Sequence, residues 1–500
     1  MRPMKLAVVG GGPSAFYVAS RILSLLPKDN VNIHIYDRLW APHGLVRYGV
    51  APDHPEVKNC VHKFDEAARD PRLKFFGNIN IGIKPSTTVP RSLHLPLSAL
   101  LSNYTHLLFA SGCTLPTLHP ALLPSSYCIP ALSLVHWYTQ HPSQPPPPPL
   151  EHVHHVSVIG AGNVSLDVAR MLLCPPSHLQ SYDVPQSVMS VLSRSAVKHV
   201  SIIARRGPLE AAFTTKELRE LMSLPNASMR PINPSLLEAP PGVKLSRQQS
   251  RMMDVLKKGS QNAWGTTPRT WSLDFFRSPT GLALPPPESP RNAPAELTLA
   301  HTTLAPDPDN PSVMRAVPTG ETSTLSTSLV VTSLGFKADP TPFPDLYDPK
   351  SAHLRVHAGR VLTASGKPLK NVYSSGWAAM GAKGVLAATM MDAYAVADVV
   401  LSDLMDTGGD VRTMAVTPNT ESDGELEMQE IGDEVLKLSA EPPDMEKPPE
   451  EVINGVEEKK VVTYDDWKKI EAEEVKRGDK AGKERERMEW DEVHQFLKTK

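Results

Sequence analysis

The chain has 500 residues, of which 40% are hydrophobic, so it is long enough for two or more domains with sizeable cores. Its formal net charge is −2, so no global field favours nucleic acid or an anionic membrane. No apolar run approaches the roughly 18 residues of a membrane span, and the cysteines lack the CxxC spacing of a zinc site, an iron–sulfur site or a dithiol pair; they are Cys60, Cys113, Cys128 and Cys174.

The first predicted element is a strand that leads into a glycine-rich turn and a helix. In "KLAVVGGGPSAFYVASRIL", Gly10-x-Gly12-x-x-Ala15 follows an apolar strand and opens a helix. Gly10 permits the tight turn, and Gly12 lets a pyrophosphate approach the backbone at the helix N-terminus. The next strand ends in Asp37, near the spacing expected for an acid that binds ribose hydroxyls. This combination predicts a dinucleotide site suited to FAD, and a plain glycine-rich turn is the alternative.

A second copy of this pattern follows the proline run Pro145–Pro149, which reads as a polyproline II loop. In "VSVIGAGNVSLDVARMLL", Gly160-x-Gly162 again separates a strand from a helix. Here the following strand, in "HVSIIARRG", ends in Arg205 and Arg206 instead of an acid. Guanidinium groups bind a phosphate through paired, charge-assisted hydrogen bonds. The second unit therefore predicts a site for the 2′-phosphate of NADP, with two solvated loop arginines as the alternative.

The rest of the chain alternates between loop-rich and regular patterns. Asn226 to Asn310 reads as a loop-heavy decoration of the second unit, and "TSLVVTSLGF" reads as another apolar strand. A strand, a glycine-rich turn and a long helix follow and close near Leu404. From Asp410 to Lys460 the composition is polar, acidic and proline-rich, which predicts a disordered linker. The last segment is predicted to be a charged helix with apolar residues that dock on the body of the protein: Trp467, Ile470 and Val475.

Several longer stretches share one resemblance. They are "GLVRYGVAPDHPEVKN", "GAGNVSLDVAR", "RRGPLEAAFTTKELRE", "DFFRSP", "AVPTG" and "SSGW". Together they resemble the adrenodoxin reductase family, the mitochondrial NADPH–ferredoxin oxidoreductases. The similarity runs from Leu6 to about Leu404 and resumes in "DWKKIEAEEVKRGDKAGKERE".

The resemblance implies an α/β fold with two Rossmann-like dinucleotide-binding domains, in which an NADP domain is inserted into a discontinuous FAD domain. On this reading, residues 1–112 and 327–409 form the FAD domain and residues 113–326 form the NADP domain. Residues 410–460 are the acidic linker, and residues 461–500 are the charged helical segment.

Site residues carry over position by position from the same resemblance. The expected FAD contacts, together with the glycines of the first turn, are Gly10, Gly12, Ser14, Asp37, Leu45, Ile81, Trp377, Gly384, Val385 and Leu386. The expected NADP contacts are Ala161, Gly162, Asn163, Val164, Arg205, Arg206, Glu217 and again Gly384. His54 and Asp167 match positions near the flavin and would couple proton movement to its reduction. The alternatives are that His54 anchors a loop and that Asp167 is an acid in the first turn of a helix, where it stabilises the helix dipole.

The implied function is transfer of a hydride from NADPH to FAD, followed by single electrons to a [2Fe–2S] ferredoxin, with no metal site in the chain itself. Three alternatives stay open at this point. A flavin disulfide reductase would need a redox-active cysteine pair, and a glutamate synthase-like electron-transfer subunit would be expected to carry cysteine clusters. The third alternative is a non-enzymatic flavoprotein scaffold.

The expected docking surface for an acidic ferredoxin is a basic patch within "VKLSRQQSRMMDVLKKGSQ". Arg247, Arg251 and Lys258 fall at i, i+4 and i+11, close to one face of a helix, and a merely solvated face is the alternative. The resemblance implies a mitochondrial monomer on the matrix side of the inner membrane, with at most peripheral membrane association. The first strand is predicted so close to Met1 that no presequence is expected within this chain.

Overall fold

The computed structural model describes residues 3–27, 30–239, 244–405, 436–441 and 444–499. The N-terminal part alternates strands and helices, as the glycine-rich motif predicts. Its strands are β1 (Met4–Val9), β2 (Val31–Asp37), β3 (Leu73–Gly77), β4 (Ile79–Ile81), β5 (Leu93–Leu95), β6 (His106–Phe109) and β7 (Leu115–Pro116). Its helices are α1 (Pro13–Leu25), α2 (Leu45–Tyr48), α3 (Val61–Ala68) and α4 (Leu97–Asn103).

The middle of the chain repeats the alternation and then changes to long antiparallel strands. Its strands are β8 (Cys128–Pro130), β9 (His155–Ile159), β10 (His199–Ala204), β11 (Ala227–Met229), β12 (Arg269–Phe275), β13 (Arg277–Ala283), β14 (Ala295–Pro306), β15 (Met314–Thr327) and β16 (Leu329–Thr332). Its helices are α5 (Ala131–Tyr138), α6 (Asn163–Leu173), α7 (Pro176–Leu179), α8 (Gln186–Ser193), α9 (Thr215–Met222) and α10 (Arg247–Lys258).

The C-terminal part returns to the first sheet. Its strands are β17 (Phe336–Lys337), β18 (Tyr347–Asp348), β19 (His353–Leu354), β20 (Val356–His357), β21 (Arg360–Leu362), β22 (Pro368–Ser374) and β23 (Val462–Thr463). Its helices are α11 (Trp377–Met380), α12 (Leu386–Met405), α13 (Glu450–Glu457), α14 (Tyr464–Ala481) and α15 (Trp490–Thr499). No helix among the described ranges combines the length and apolar character that crossing a bilayer requires.

Within the described residues, the larger sheet has eight strands in the order β20-β21-β22-β6-β1-β2-β3-β23. The five central strands are parallel, and β1 is buried along its whole length. Parallel strands with both faces covered are largely apolar, which explains the apolar run of β1, interrupted only by the buried Lys5. Helices α1, α3 and α12 pack on one side of this sheet. We call this sheet and its helices the first unit.

A second sheet, counted over the same described ranges, has six parallel strands in the order β11-β12-β10-β9-β16-β8. Its core includes α5, α6, α8, α9 and α10, and we call the whole the second unit. The boundary expected at residue 327 lies too early, because β16 pairs with β9 in this sheet. Strand pairing, and not the apolar character of the segment, assigns β16 to the second unit.

The segment predicted to be loop-heavy contains regular structure. Helix α10 and strand β12 belong to the second unit, and β13, β14 and β15 form an antiparallel sheet beside it. The prediction is wrong here because β15, at the edge of this sheet, is exposed along most of its length. Threonine and serine then replace the apolar residues that normally reveal a strand.

The predicted disordered linker is wrong for the part that the structure describes. Residues 406–435 and 442–443 lie outside the described residues. After them α13 packs into the core through Val452, which is fully buried. The buried Lys5 Nζ donates to the backbone oxygen atoms of Asp444 and Lys447 at 2.5 and 2.7 Å. Apolar contacts of residues such as Val452 and the hydrogen bonds of the buried Lys5 therefore hold residues 444–460 in place, although their composition predicts disorder.

The charged C-terminal segment is helical, as predicted, and it packs on the first unit. Strand β23 pairs with β3, and α14 and α15 follow. Trp467 and Ile470 are buried beside Trp40, which confirms the expected docking of both. The prediction is wrong for Val475, which is 36% exposed.

Candidate nucleotide sites

A long cleft lies at the carboxyl ends of the parallel strands of the first unit. It encloses about 1670 Å³ of empty space, part of it open to solvent. The predicted FAD residues that line it are Gly10, Gly12, Ser14, Asp37, Leu45, Ile81, Trp377 and Leu386. Gly384 and Val385 are not in its wall, and Val385 is 56% exposed. The cleft also has walls from the second unit, since Val135, His136 and Val164 line it.

The two glycines of the first turn have different geometries. Gly10 has φ +109°, and a Cβ there would lie 2.4 Å from the backbone oxygen of Ala110, so no other residue fits between β1 and β6. A Cβ on Gly12 would meet no protein atom within 4 Å. Gly12 therefore leaves open space at the N-terminus of α1, where backbone N–H groups favour a phosphate.

Asp37 is held at the end of β2 by backbone hydrogen bonds. Its Oδ2 accepts from the N–H of Gly11 at 2.7 Å, and its Oδ1 accepts from the N–H of Leu39 at 2.8 Å. Burial raises the pKa of Asp37 to about 6, and the two N–H donors act against that increase. These bonds fix the carboxylate in the cleft wall, at the place where the strand motif predicts ribose recognition.

A hydrogen-bonded relay that sequence reasoning missed joins the two ends of the first unit. Ser14 Oγ donates to Ser375 Oγ at 2.6 Å, and Ser375 Oγ donates to Asp392 Oδ2 at 2.8 Å. The N–H of Gly376 donates to the same carboxylate oxygen at 2.6 Å. The relay packs the N-terminus of α1 against the end of β22. The motif "SSGW" was the only available signal, and it does not reveal Asp392.

Two stacked histidines in the cleft wall were also missed. The rings of His136 and His141 lie 3.7 Å apart and nearly parallel, and both residues line the cleft. Burial, with a smaller effect of the neighbouring Arg38, lowers the pKa of His136 to about 3. Burial likewise lowers the pKa of His141 well below its usual value. Both rings are therefore neutral at physiological pH and form an uncharged wall.

The second unit repeats the glycine geometry. Gly160 has φ +127°, and a Cβ there would lie 2.1 Å from the backbone oxygen of Ser333. A Cβ on Gly162 would meet nothing within 4 Å. The N-terminal residue of α6, Asn163, accepts a hydrogen bond at its Oδ1 from the N–H of Thr214 at 2.8 Å. The predicted contacts Ala161 to Val164 thus surround an open helix N-terminus.

Arg205 and Arg206 lie directly after β10, with Arg205 exposed and Arg206 half-buried. The backbone oxygen of Arg205 accepts from Thr302 Oγ1 at 2.8 Å, which holds the turn. Among the described residues, no carboxylate forms an ion pair with either guanidinium. The strand tip that carries an acid in the first unit therefore carries uncompensated positive charge in the second.

Three other predicted residues meet in a buried ionic cluster outside the cleft wall. Arg170 is at its centre and donates to both carboxylate oxygens of Asp53, at 2.7 and 3.0 Å, and to Asp167 at 2.9 Å. Its Nη1 also lies 3.3 Å from Glu220 and 3.5 Å from Glu217. His54 Nε2 lies 2.6 Å from Glu220 Oε2 and 3.8 Å from Glu217 Oε2. The predicted residues His54, Asp167 and Glu217 thus form one cluster at the junction of the two units.

The cluster favours protons over a metal ion. His54, Glu217 and Glu220 are close enough to hold a metal, but the Arg170 guanidinium already occupies the space beside both glutamates and pairs with each of them. Burial raises the pKa of Asp167 to about 6 and, with the neighbouring Asp167, raises the pKa of Glu217. An excess of carboxylates over cations in a buried place holds protons near neutral pH.

The expected docking patch is helical and faces solvent. Helix α10 begins with a capping box in which Ser246 and Gln249 exchange hydrogen bonds. Met252, Met253 and Leu256 pack into the second unit. Arg247, Arg251 and Lys258 are exposed.

The chain was compared with known proteins, and no family model matches it. It is 33% identical over 499 residues to the mitochondrial NADPH:adrenodoxin oxidoreductase of Bos taurus, covering 97% of this chain and 90% of that protein. The Drosophila melanogaster protein of the same name is 32% identical, with coverages of 97% and 91%. Among solved structures, Mycobacterium tuberculosis FprA in complex with NADPH has a TM-score of 0.80 and 28% identity, covering 99% of each chain.

We expect Asp167→Asn to stabilise the protein at pH 8. The pKa of Asp167 is about 6 in the folded protein and 3.8 as its ordinary value, so well below pH 3.8 the residue is protonated whether the protein is folded or not. As the pH rises from 3.8 to 6, the unfolded state loses this proton first, and the free energy of unfolding falls. Asparagine cannot ionise, and it keeps an oxygen for Arg170. The gain at pH 8 should be on the order of 1–3 kcal/mol and should vanish near pH 4.

Urea unfolding at pH 4, 6 and 8 measures this difference. Asp254→Asn, at an exposed position on α10, is the matched control and should change the free energy of unfolding by less than about 0.5 kcal/mol. A variant at position 167 that is destabilised at pH 8 would show that Arg170 holds Asp167 ionised.

Proposed function

The chain belongs to the NADPH:adrenodoxin oxidoreductase family, and we propose that its two glycine-rich units bind different nucleotides: FAD in the first and NADPH in the second. The observation that carries this assignment is the contrast between equivalent strand tips. The tip of β2 carries the buried acid Asp37, and the tip of β10 carries Arg205 and Arg206. An acid accepts ribose hydroxyls and repels a 2′-phosphate, whereas the arginines attract that phosphate.

FAD fits the first unit on several independent observations. The open position of Gly12 leaves room for a pyrophosphate, and the cleft is long enough to continue past Leu45 to Trp377 and Leu386. Its walls are mostly apolar or neutral, as a site for an aromatic cofactor requires. The FAD domain then consists of the first unit, and the NADP domain is the second unit with β16 included.

The flavin, when bound, supplies the step from a two-electron hydride to single electrons, which a nicotinamide cannot readily supply. The protein has to hold the two cofactors together and exclude water. Val164 in the first turn of α6 lines the flavin cleft, so a nucleotide bound at this helix N-terminus extends toward the flavin. Arg205 and Arg206 would hold its other end.

We assign proton handling to the ionic cluster around Arg170. His54 and Asp167 are the proposed catalytic residues, with Glu217 and Glu220 as their partners. Burial raises the pKa of Asp167 to about 6, so this carboxyl can take up and release a proton not far below neutral pH, and the pKa of Glu217 is raised as well.

The electron acceptor of the family is an adrenodoxin-type [2Fe–2S] ferredoxin. We propose that it docks on the basic patch of α10, which is Arg247, Arg251 and Lys258. The mitochondrial relatives support a mitochondrial location, and we place this chain as a monomer on the matrix side of the inner membrane. A disulfide reductase and an iron–sulfur subunit are disfavoured, because the cysteines are dispersed free thiols.

The two open glycines provide a matched pair of variants for the cofactor assignment. Gly12→Val and Gly162→Val each place a side chain where the protein leaves space, at backbone angles that valine adopts. Wild-type protein should be yellow and should be bleached anaerobically by NADPH. Gly12→Val should fold but lack flavin, and Gly162→Val should keep flavin and lose bleaching. A flavin-replete Gly12→Val protein contradicts the assignment, and wild-type protein that NADPH leaves yellow supports the scaffold alternative.

Arg205→Ala combined with Arg206→Ala should remove the preference for NADPH over NADH. Charge-assisted hydrogen bonds contribute about 1.5–3 kcal/mol each, so KM for NADPH should rise on the order of 100-fold or more. KM for NADH should change little. Steady-state ferricyanide reduction measures both, and Arg194→Ala, at an exposed arginine of the same unit, is the control. Equal losses with both nucleotides would show that the arginines are structural.

Charge reversal at Arg247 and Arg251 should slow ferredoxin-coupled reduction of cytochrome c and weaken its dependence on salt. Direct reduction of ferricyanide needs no docking surface and should not change. The control, Arg291→Glu with Lys367→Glu, makes the same change in net charge at exposed positions elsewhere. If both activities fall together, or if neither does, the patch is not the docking site.

A further inference from the structure

The C-terminal segment, residues 463–499, contacts both nucleotide units. On the first unit, Tyr464 donates to Asp65 at 2.6 Å, and Trp467 packs beside Trp40. On the second unit, the N–H of Glu484 donates to the backbone oxygen of Ser181 at 3.1 Å, and Lys483 Nζ donates to that of Val184 at 2.7 Å. The segment therefore bridges two bodies whose relative position shapes the cleft between them.

The contact with the first unit reaches the wall of the flavin cleft. Arg47 lies in α2, between Leu45 and Tyr48, and α2 supplies part of that wall. Its Nη2 donates to Glu474 Oε1 at 2.8 Å, and both side chains are buried, with 5% and 0% exposed. Glu474 Oε1 also accepts from the N–H of Met488 at 3.0 Å. A buried pair of this kind is costly to break from one side.

Arg487 joins the two units through one guanidinium, which is 1% exposed. Its Nε and Nη2 donate to the two carboxylate oxygens of Asp183 in the second unit, at 2.8 and 2.5 Å. Its Nη1 donates to the backbone oxygen of Thr139, at the end of α5 in the same unit. Its Nη2 also donates to the backbone oxygen of Arg47 in the first unit at 2.9 Å.

Asp183 is a point where three parts of the chain meet. Besides Arg487, it lies 3.4 Å from Lys58 Nζ of the first unit. The carboxylate is buried, and the neighbouring cations, Arg487 first, hold its pKa well below the usual range. It is therefore charged at all physiological pH values, and its position depends on the fork of donors that Arg487 supplies.

We propose that Arg487 is a positioning residue for hydride transfer. By fixing Asp183 and Thr139 of the second unit to α2 of the first, it sets how the nicotinamide site meets the flavin cleft. The proposal rests on the assignment of the two units to FAD and NADPH. Hydride transfer depends steeply on alignment, and a misplacement of about 1 Å can cost about 100-fold in rate. Arg487 itself does not line the flavin cleft and is not among the proposed contacts of either nucleotide, so binding is expected to survive when alignment is lost.

The test uses full-length holoenzyme and anaerobic stopped-flow bleaching of the flavin by saturating NADPH. Arg487→Met should lower the bleaching rate at least tenfold, while flavin content and Kd for NADPH change less than twofold. Arg477→Met is the matched control, because among the described residues Arg477 forms ion pairs only within the C-terminal segment, with Glu473 and Glu492. It should bleach at the wild-type rate.

Asp183→Asn removes the other half of the pair and should also slow bleaching. The double variant Asp183→Asn with Arg487→Met should bleach no more slowly than the slower single variant, since both substitutions break the same contact. If Arg487→Met does not fold, Arg487→Lys is the variant to test. It keeps a charge beside Asp183 but cannot reach Thr139 and Arg47 as the planar fork does, and its rate should also fall.

Wild-type bleaching rates in Arg487→Lys or Arg487→Met, even with a lower Tm, would overturn the proposal and leave Arg487 a stabilising residue only. A rise in Kd for NADPH with an unchanged saturated rate would overturn it as well. Failure of the wild-type protein to be bleached would refute the proposed function itself, which is a separate outcome.

Discussion

The two nucleotide units meet at Arg170, and the arrangement of everything between them depends on its guanidinium. Asp53 of the first unit and Asp167, Glu217 and Glu220 of the second all converge on it. Without this cation the carboxylates would repel one another at a largely buried junction, which would oppose the contact between the units. Removing the arginine would leave buried carboxylates without their cation, a change that typically costs about 3–5 kcal/mol. The same cluster thus holds the two units together and carries the carboxylates to which we assign proton handling.

A second arginine pairs with a buried carboxylate at another point of the same junction. Arg487 neutralises Asp183 and reaches backbone oxygens on both units. Lysine cannot make the same contacts as either arginine, because the planar guanidinium group has five N–H donors that reach several acceptors at fixed angles. The C-terminal segment supplies this arginine from the far end of the chain. The flavin cleft is consequently shaped by three segments that are distant in sequence.

The two units share one backbone design and differ in charge. In both, a glycine at positive φ follows the first strand, and an open glycine begins the helix. The geometry that accepts a pyrophosphate is therefore the same in each, because it comes from backbone N–H groups and the helix dipole. In the proposed assignment, discrimination between the nucleotides comes from the end of the next strand, where Asp37 lies in one unit and Arg205 and Arg206 lie in the other.

The sequence by itself determined the local features: both strand–turn–helix motifs, the acid and the arginines at the strand tips, and the helical C-terminal segment. These follow from backbone sterics and from spacing along one element, which neighbours in sequence specify. Only the tertiary structure decided that β16 pairs in the second sheet, that residues 444–460 fold against Lys5, and that Asp392 completes a relay with Ser14. It also decided that His54, Asp167 and Glu217 share one arginine. Those contacts join residues far apart in the chain, and their free energy depends on burial and partner geometry, which no local pattern encodes.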